Sequence, residues 1–364
     1  MNIPRLQIGR WEFPLPLVSG GMGVKISGWQ LVLAVLEESC LGTLTSMGLG
    51  DLSHGMSGTH FVTTSRAALQ YELSQLRART DRPFAVNVMG ALSNVDDLIA
   101  TAVQGGANII VYGAGIPRAL PAVVEDPDVA LVPIISSARL AGIILKRWEH
   151  YRRIPDAFII EGPLAGGHLG FSLDQLEHLE DFTLESILQQ TLEVIKPYED
   201  ACGRKIPLIT AGGIFTGDDI ARMLSLGASG VQMGTRFVAT HECPVAMEFK
   251  REYLNARPED VRIIKSPVGM PGRVIANEFL RQLQGGDIPA PSCPFHCITS
   301  CERDAAGFCI AERLDNSYKG DVANGLIFCG ANAPRVTRIM SVHELVTELM
   351  DGVRASTLTL PHAH

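Results

Sequence analysis

Residues 208–240 read "LITAGGIFTGDDIARMLSLGASGVQMGTRFVAT", and this stretch decides how the rest of the chain is read. An apolar run ends in "AGG", a helical stretch opens at Thr216 and stops on Gly227, and a second β-rich run follows. Thr216 is a residue type that caps helix starts, and Gly227 one that ends helices. Strand, helix and strand at this spacing make one βα unit of a parallel sheet.

Working outward, the same unit recurs. Strand candidates fall at 16–20, 41–46, 84–89, 108–113, 130–136, 157–162, 207–213 and 230–234. Helical periodicity fills 27–38, 64–78, 94–104, 116–125, 137–150, 183–198, 217–226 and 244–255. Most strand candidates are continuous apolar runs, as expected where both faces are covered. Eight strands each followed by a helix predict an α/β fold, a (β/α)8 TIM barrel. A doubly wound open sheet stays open as the alternative, because the pattern alone does not prove closure.

The rhythm stops after the last of these helices. We therefore read 1–256 as the barrel and 257–364 as a C-terminal extension that packs on the barrel instead of folding alone. The extension holds "KSPVGMPGRVIANEFL" (265–280), a cysteine-bearing segment (292–310) and a last helix at 341–353.

With 46% hydrophobic and 19% charged residues, the composition is that of a globular protein with a sizeable core. The net charge of −8 and the scattered basic residues argue against nucleic acid or an anionic membrane surface as partner. The N-terminal residues lack the apolar core of a secretory signal, and no run approaches the ~20 residues that span a bilayer. The expected compartment is the cytoplasm, where eight cysteines are reduced thiols or ligands. A homo-oligomer is left open.

In such a barrel the site forms from loops at the C-terminal ends of the strands. "GGMG" (20–23) follows strand 1, "EGPLAGGHLG" (161–170) strand 6, "AGGIFTGDD" (211–219) strand 7 and "MGTRF" (233–237) strand 8. These glycine clusters converge on one rim, where bare backbone lets N–H groups approach a ligand. Phosphates in these barrels sit between the loops after strands 7 and 8.

"SGGMG", "FAVNVM", "EGPLAGGHLG", the stretch 208–240 and "SPVGMPGR" together resemble the nitronate monooxygenase (2-nitropropane dioxygenase) family. That family is similar to the FMN-dependent enoyl-acyl carrier protein reductases. The resemblance covers about 14–280 and implies an FMN-binding barrel. It implies FMN against Gly21, Met22, Gly23 and Asn87, with Gly166 and Gly167 near the ring. It puts the phosphate at Gly212, Gly213, Gly234 and Thr235, with Gln232 and Met233 also touching the cofactor. The family pattern tends to carry a polar residue before "AGGH"; here Pro163 and Leu164 stand there, giving an apolar approach.

His168 lies on a glycine loop at the catalytic rim, and imidazole exchanges protons near neutrality without extreme tuning. With the resemblance it is the expected catalytic residue. It would remove the α-proton of a nitroalkane, or pair as a cation with a nitronate. Flavin and dioxygen would then give a carbonyl compound and nitrite. The alternative is an NAD(P)H-dependent enoyl-thioester reductase, which would use the same histidine. A flavin-binding protein without turnover is disfavoured by the intact His168 loop.

Other residues carry weaker signals. The loop 51–60 reads as a lid, with His54 and His60 as ordinary loop residues rather than metal ligands. Ser136 and Ser137 are placed to face a substrate, and Lys25 to meet an anion or solvent. Cys293, Cys297, Cys301 and Cys309 leave two readings. Four thiolates suit a [4Fe–4S] cluster. Alternatively, the i, i+4, i+8 spacing of the first three makes a buried helical stripe.

Overall fold

Runs without polar residues fold as strands buried along their length. In the computed structural model, which describes residues 3–50, 58–286, 288, 293, 296–302 and 306–359, every residue of Ala85–Met89 is buried. The parallel strands are β1 (Leu17–Ser19), β2 (Thr43–Thr45), β3 (Ala85–Met89) and β4 (Ile109–Gly113). They continue with β5 (Ala130–Ile135), β6 (Phe158–Glu161), β7 (Leu208–Ala211) and β8 (Gly230–Met233). Among the described residues they form one sheet in the order β1-β8-β7-β6-β5-β4-β3-β2.

The two edges of that sheet meet. Val18 bridges Leu41 in parallel, the Ser19 N–H donates to the Leu41 carbonyl at 2.9 Å, and the Leu41 N–H donates to Leu17 at 3.0 Å. The sheet is thus a barrel, and the open doubly wound alternative falls. Its interior is an apolar cluster that includes Val18, Val111, Ile159 and Ile209. An antiparallel hairpin not anticipated from the sequence, Leu6–Ile8 with Trp11–Phe13, sends Leu6, Ile8 and Phe13 into this cluster.

The helices follow their local signals. Gly217–Ser225 opens with a capping box, Thr216 accepting from the Asp219 N–H at 3.3 Å and Asp219 from the Thr216 N–H at 2.9 Å. Two expectations change. The helix placed at 116–125 shrinks to Leu120–Val123, in a stretch where Pro117 and Pro121 remove N–H donors. The helix placed at 64–78 begins earlier, as Gly58–Arg77, so the end of the expected lid is helical; 51–57, with His54, lie outside the described residues.

The extension packs on the barrel. Its hairpin β9 (Val261–Lys265) and β10 (Pro271–Ile275) is antiparallel, and β10 pairs with the two-residue strand Gly167–His168. The last helix, Val342–Thr359, lies against Gly217–Ser225, and its Glu348 meets the buried Arg236 at 2.7 Å. Among the described residues no helix is long and apolar enough to cross a membrane.

Candidate active site

Alternation along the strands fixes the top layer of the barrel interior. Val18, Val111, Ile159 and Ile209 face inward, so Gly20, Gly113, Glu161 and Ala211, two positions on, face the same way at the C-terminal mouth. Glu161 is level with Ala211, and Ala211 with Gln232. Small residues here leave a hollow that opens into a cavity of about 280 Å³.

Thirteen sequence-predicted site residues meet at this one cavity. His168, Gly21, Met22, Gly23, Asn87, Gly166, Gly167, Gly212, Gly213, Gln232, Met233, Gly234 and Thr235 all line it. Two glycines are required by geometry. Gly213 has φ +85°, a conformation L side chains rarely adopt, and a Cβ on Gly166 would stand 2.7 Å from the backbone of Cys329.

The extension builds the other wall. The Gly330 N–H donates to the Thr235 hydroxyl at 3.3 Å, and the Asn332 amide donates to the Gly213 carbonyl at 2.7 Å. Segment 328–332 thus folds over the loops after β7 and β8. The segment around Cys297 folds over the loop after β3: the Ser93 N–H donates to Cys297 at 3.0 Å, and Leu92 bridges Ile298.

His168 is held on three sides. β10 pairs with its backbone, its Nε2 lies 2.7 Å from the Ser266 hydroxyl, and Phe328 meets its ring edgewise at 4.9 Å between centroids. Burial lowers its pKa to about 4, so the imidazole is neutral at pH 7. The cationic form expected to pair with a nitronate is therefore not the form His168 takes at pH 7. Burial pushes the Glu161 carboxyl the other way, to about 7.

Ser136 and Ser137 do not line the cavity. Ser136 donates to the Gly170 carbonyl at 2.8 Å, and Ser137 caps the helix Ala138–Trp148. Lys25 pairs with the buried Asp315 at 2.6 Å rather than with a ligand or solvent. His60 sits in the first turn of Gly58–Arg77 and is exposed.

The cysteines do not form the expected helical stripe. Cys297–Cys301 is a bridge and turn, so no helical stripe forms. The four residues instead line a small cavity of about 20 Å³ together with His296. Among the described residues no three His, Cys, Asp or Glu side chains are arranged to hold a metal ion, and the [4Fe–4S] expectation gains no support.

Sequence reasoning missed Glu161, Ser266, Phe328, Gly330 and Asn332 as parts of the site. Only Glu161 carried a local signal, as an acid ending the otherwise apolar run "AFII".

The nitronate monooxygenase family model matches residues 94–352, more than half of the chain. Among curated relatives, the Mycobacterium tuberculosis (3aS,4S,5R,7aS)-5-hydroxy-7a-methyl-1-oxo-octahydro-1H-indene-4-carboxyl-CoA dehydrogenase is 28% identical over 275 residues. That match covers 74% of this chain and 66% of the relative, just under two thirds. A probable nitronate monooxygenase of Staphylococcus aureus (strain Newman) is 32% identical over 166 residues, 45% of this chain and 44% of the relative. FabK from Thermotoga maritima superposes with a TM-score of 0.72 at 25% identity, covering 94% of each chain. The nitroalkane oxidase from Streptomyces ansochromogenes gives 0.72 at 24%, covering 96% of this chain and 98% of that one, and shows the fold. The chain belongs to the nitronate monooxygenase family.

Proposed function

We propose that this protein binds FMN and oxidises nitronates or nitroalkanes with dioxygen to carbonyl compounds and nitrite. The observation that carries the reading is a neutral His168 facing a glycine-walled cavity at the barrel mouth. The residues present fit a flavin. Gln232 offers a buried Oε1 with no partner, suited to a ring N–H, and the glycine loops leave no Cβ in the cradle. Gly21, Met22, Gly23, Asn87, Gly166, Gly167, Gln232 and Met233 would hold the ring. Gly212, Gly213, Gly234 and Thr235 would hold the phosphate, beside Asn332.

Bound there, the flavin supplies a two-electron acceptor that dioxygen can re-oxidise. The chain's part is orientation and proton transfer. Ser266 holds the ring through Nε2, and the neutral imidazole of His168 takes the α-proton of a neutral nitroalkane. Apolar residues of the extension, Val268, Ile298 and Phe328 among them, keep water from that exchange.

One observation favours a second reading. The same apolar wall, continued by Ile310 and Leu314, suits an acyl chain, and one relative is named as a CoA-thioester dehydrogenase. In that reading NAD(P)H reduces the flavin and an enoyl thioester re-oxidises it. Anaerobic flavin bleaching separates them. Bleaching by nitroalkane or nitronate without NADPH supports the first; bleaching by NADPH with re-oxidation by an enoyl thioester, and none by nitronate, overturns it.

A further inference from the structure

Phe328 and His168 lie far apart in the chain, yet one strand sets them both. β10 pairs Gly272 with His168 and Arg273 with Gly167, and Val274 of the same strand bridges Phe328. The Ile275 N–H donates to the Ile327 carbonyl at 2.9 Å, and the Cys329 N–H donates to the Arg273 carbonyl at 3.0 Å. Ladder bonds on both sides of Phe328 leave its own carbonyl pointing away from β10. A carbonyl turned away from its sheet needs a donor from elsewhere. Tyr253, buried on the helix Met247–Asn255, supplies it: the hydroxyl donates to the Phe328 carbonyl at 2.6 Å. Phe249 stacks on the Tyr253 ring at 5.7 Å between centroids, which fixes where that hydroxyl points.

The phenyl ring is seated as closely as its backbone. A Cβ on Gly272 would stand 2.8 Å from Cε1 of Phe328. Gly272 has no left-handed φ, so its backbone does not demand glycine; the ring is what keeps the position bare. From that seat the ring meets His168 edgewise at 4.9 Å between centroids. The imidazole is half-buried: it opens on one side to the cavity, and Phe328 covers another.

We propose that Tyr253 and Gly272 are positioning residues for His168, acting through Phe328: Tyr253 holds the Phe328 backbone, Gly272 leaves room for its ring, and the ring so seated shields the imidazole from water. The inference rests on the reading above for the task of His168. The seat itself does not depend on which substrate the protein takes.

Shielding has a consequence for charge. An imidazolium kept from water is disfavoured, and burial lowers His168 to about 4. The other titratable groups lining the cavity, among the described residues, are Glu161, Tyr253, Cys297 and Cys329. Burial raises Glu161 to about 7, both thiols to about 12, and Tyr253 well above its usual value. All four are therefore largely uncharged below about pH 6. Lys265 and Arg273, on the hairpin packed against His168, carry a constant charge there. With its neighbours fixed in charge, the imidazole titrates according to how much water reaches it. Unseating Phe328 admits water and moves the His168 midpoint up toward 6.5.

The test is an NMR titration of the full chain as purified, carrying carbon-13 at the histidine Cε1 positions, with His168→Gln identifying the resonance. Wild-type His168 should titrate below about pH 5. Tyr253→Phe, which removes only the hydroxyl, should raise that midpoint by about one unit, giving roughly tenfold more imidazolium at a given acid pH. Gly272→Ala, which pushes on the ring, and Phe328→Leu, which removes it, should do the same. The acid limb of kcat/KM should move up by the same step. Residues that served only the packing of the extension would lower the melting temperature and leave the midpoint in place. A wild-type midpoint near 6.5, or a wild-type midpoint kept in Phe328→Leu or in any folded seat variant, overturns the assignment. If one seat variant does not fold, the other decides; if neither folds, wild type and Phe328→Leu decide. The titration needs no substrate, so a shifted midpoint in a protein inert toward nitroalkanes would defeat the proposed activity and leave the seat standing.

Discussion

His168 Nε2 and Ser266 Oγ stand 2.7 Å apart although 98 positions separate them in the chain. The serine oxygen also accepts the Val268 N–H at 3.2 Å, so its own position is set by the loop before β10. The extension thereby reaches into the barrel mouth to orient the one imidazole lining it among the described residues.

Replacing Ser266 by Ala should leave flavin bound and the imidazole present but less well oriented. We expect kcat on a nitroalkane to fall by roughly tenfold, less than the ~10²-fold or more that loss of the acid–base group itself would cost. The visible flavin spectrum should be unchanged. A wild-type kcat would show that the pair has no orienting role.

His168→Ala should keep flavin bound and lower turnover on a neutral nitroalkane by ~10²-fold or more. A preformed nitronate, which has no α C–H bond to break, should lose less. The pH profile carries further information. Because burial lowers the imidazole to about 4, the basic form persists well below the usual 6.5, and kcat/KM should fall off only below about pH 5. A limb centred at 6.5 in wild type would contradict a desolvated base. Stability has a matching sign. The unfolded chain holds the His168 proton more tightly, so stability is complete above pH 6.5 and is lost as pH falls toward 4.

The barrel was legible because its strands are short apolar runs punctuated by glycine, a signal local in the chain. The glycine loops were legible for the same reason. What escaped were contacts closed over long sequence distances, such as Asn332 with Gly213 and Ser266 with His168. No local periodicity encodes them. Ser136, Ser137 and Lys25 misled in the opposite sense: each offers a polar group at a strand end, but a carbonyl, a helix start and Asp315 take them up. The cysteine spacing read as helical, yet Cys297 and Ile298 bond to the loop after β3, and that pairing overrides an i, i+4 pattern.

Gly213→Val tests the phosphate end. The native φ of +85° disfavours any side chain, and a Cβ would stand 3.1 Å from Leu164. A branched side chain would also enter the space between the loops after β7 and β8. We expect a folded protein purified largely without flavin, with affinity for added FMN reduced at least tenfold. Normal flavin content, measured by absorbance after extraction, would move the phosphate elsewhere.

Arg273 tests whether the extension holds the catalytic loop. It sits on β10 opposite Gly167, is 5% exposed, and donates its guanidinium to the Ala165 carbonyl, three residues before His168. Burial lowers its pKa, as expected for a cation drawn out of water. Arg273→Met keeps much of the side-chain volume and removes that charge. Two effects then oppose each other. Losing a buried cation is favourable, whereas leaving the Ala165 carbonyl without its donor costs about 1–3 kcal/mol. The net change in melting temperature should therefore be small. Activity should not be spared, because the peptide run Ala165–His168 loses a side-chain tether next to the reacting ring. We expect kcat to fall by roughly tenfold, with flavin affinity reduced less, since most of its contacts come from the other three glycine loops. If melting temperature drops steeply while kcat per folded, flavin-loaded molecule stays at wild type, Arg273 serves the core of the extension and not the His168 loop.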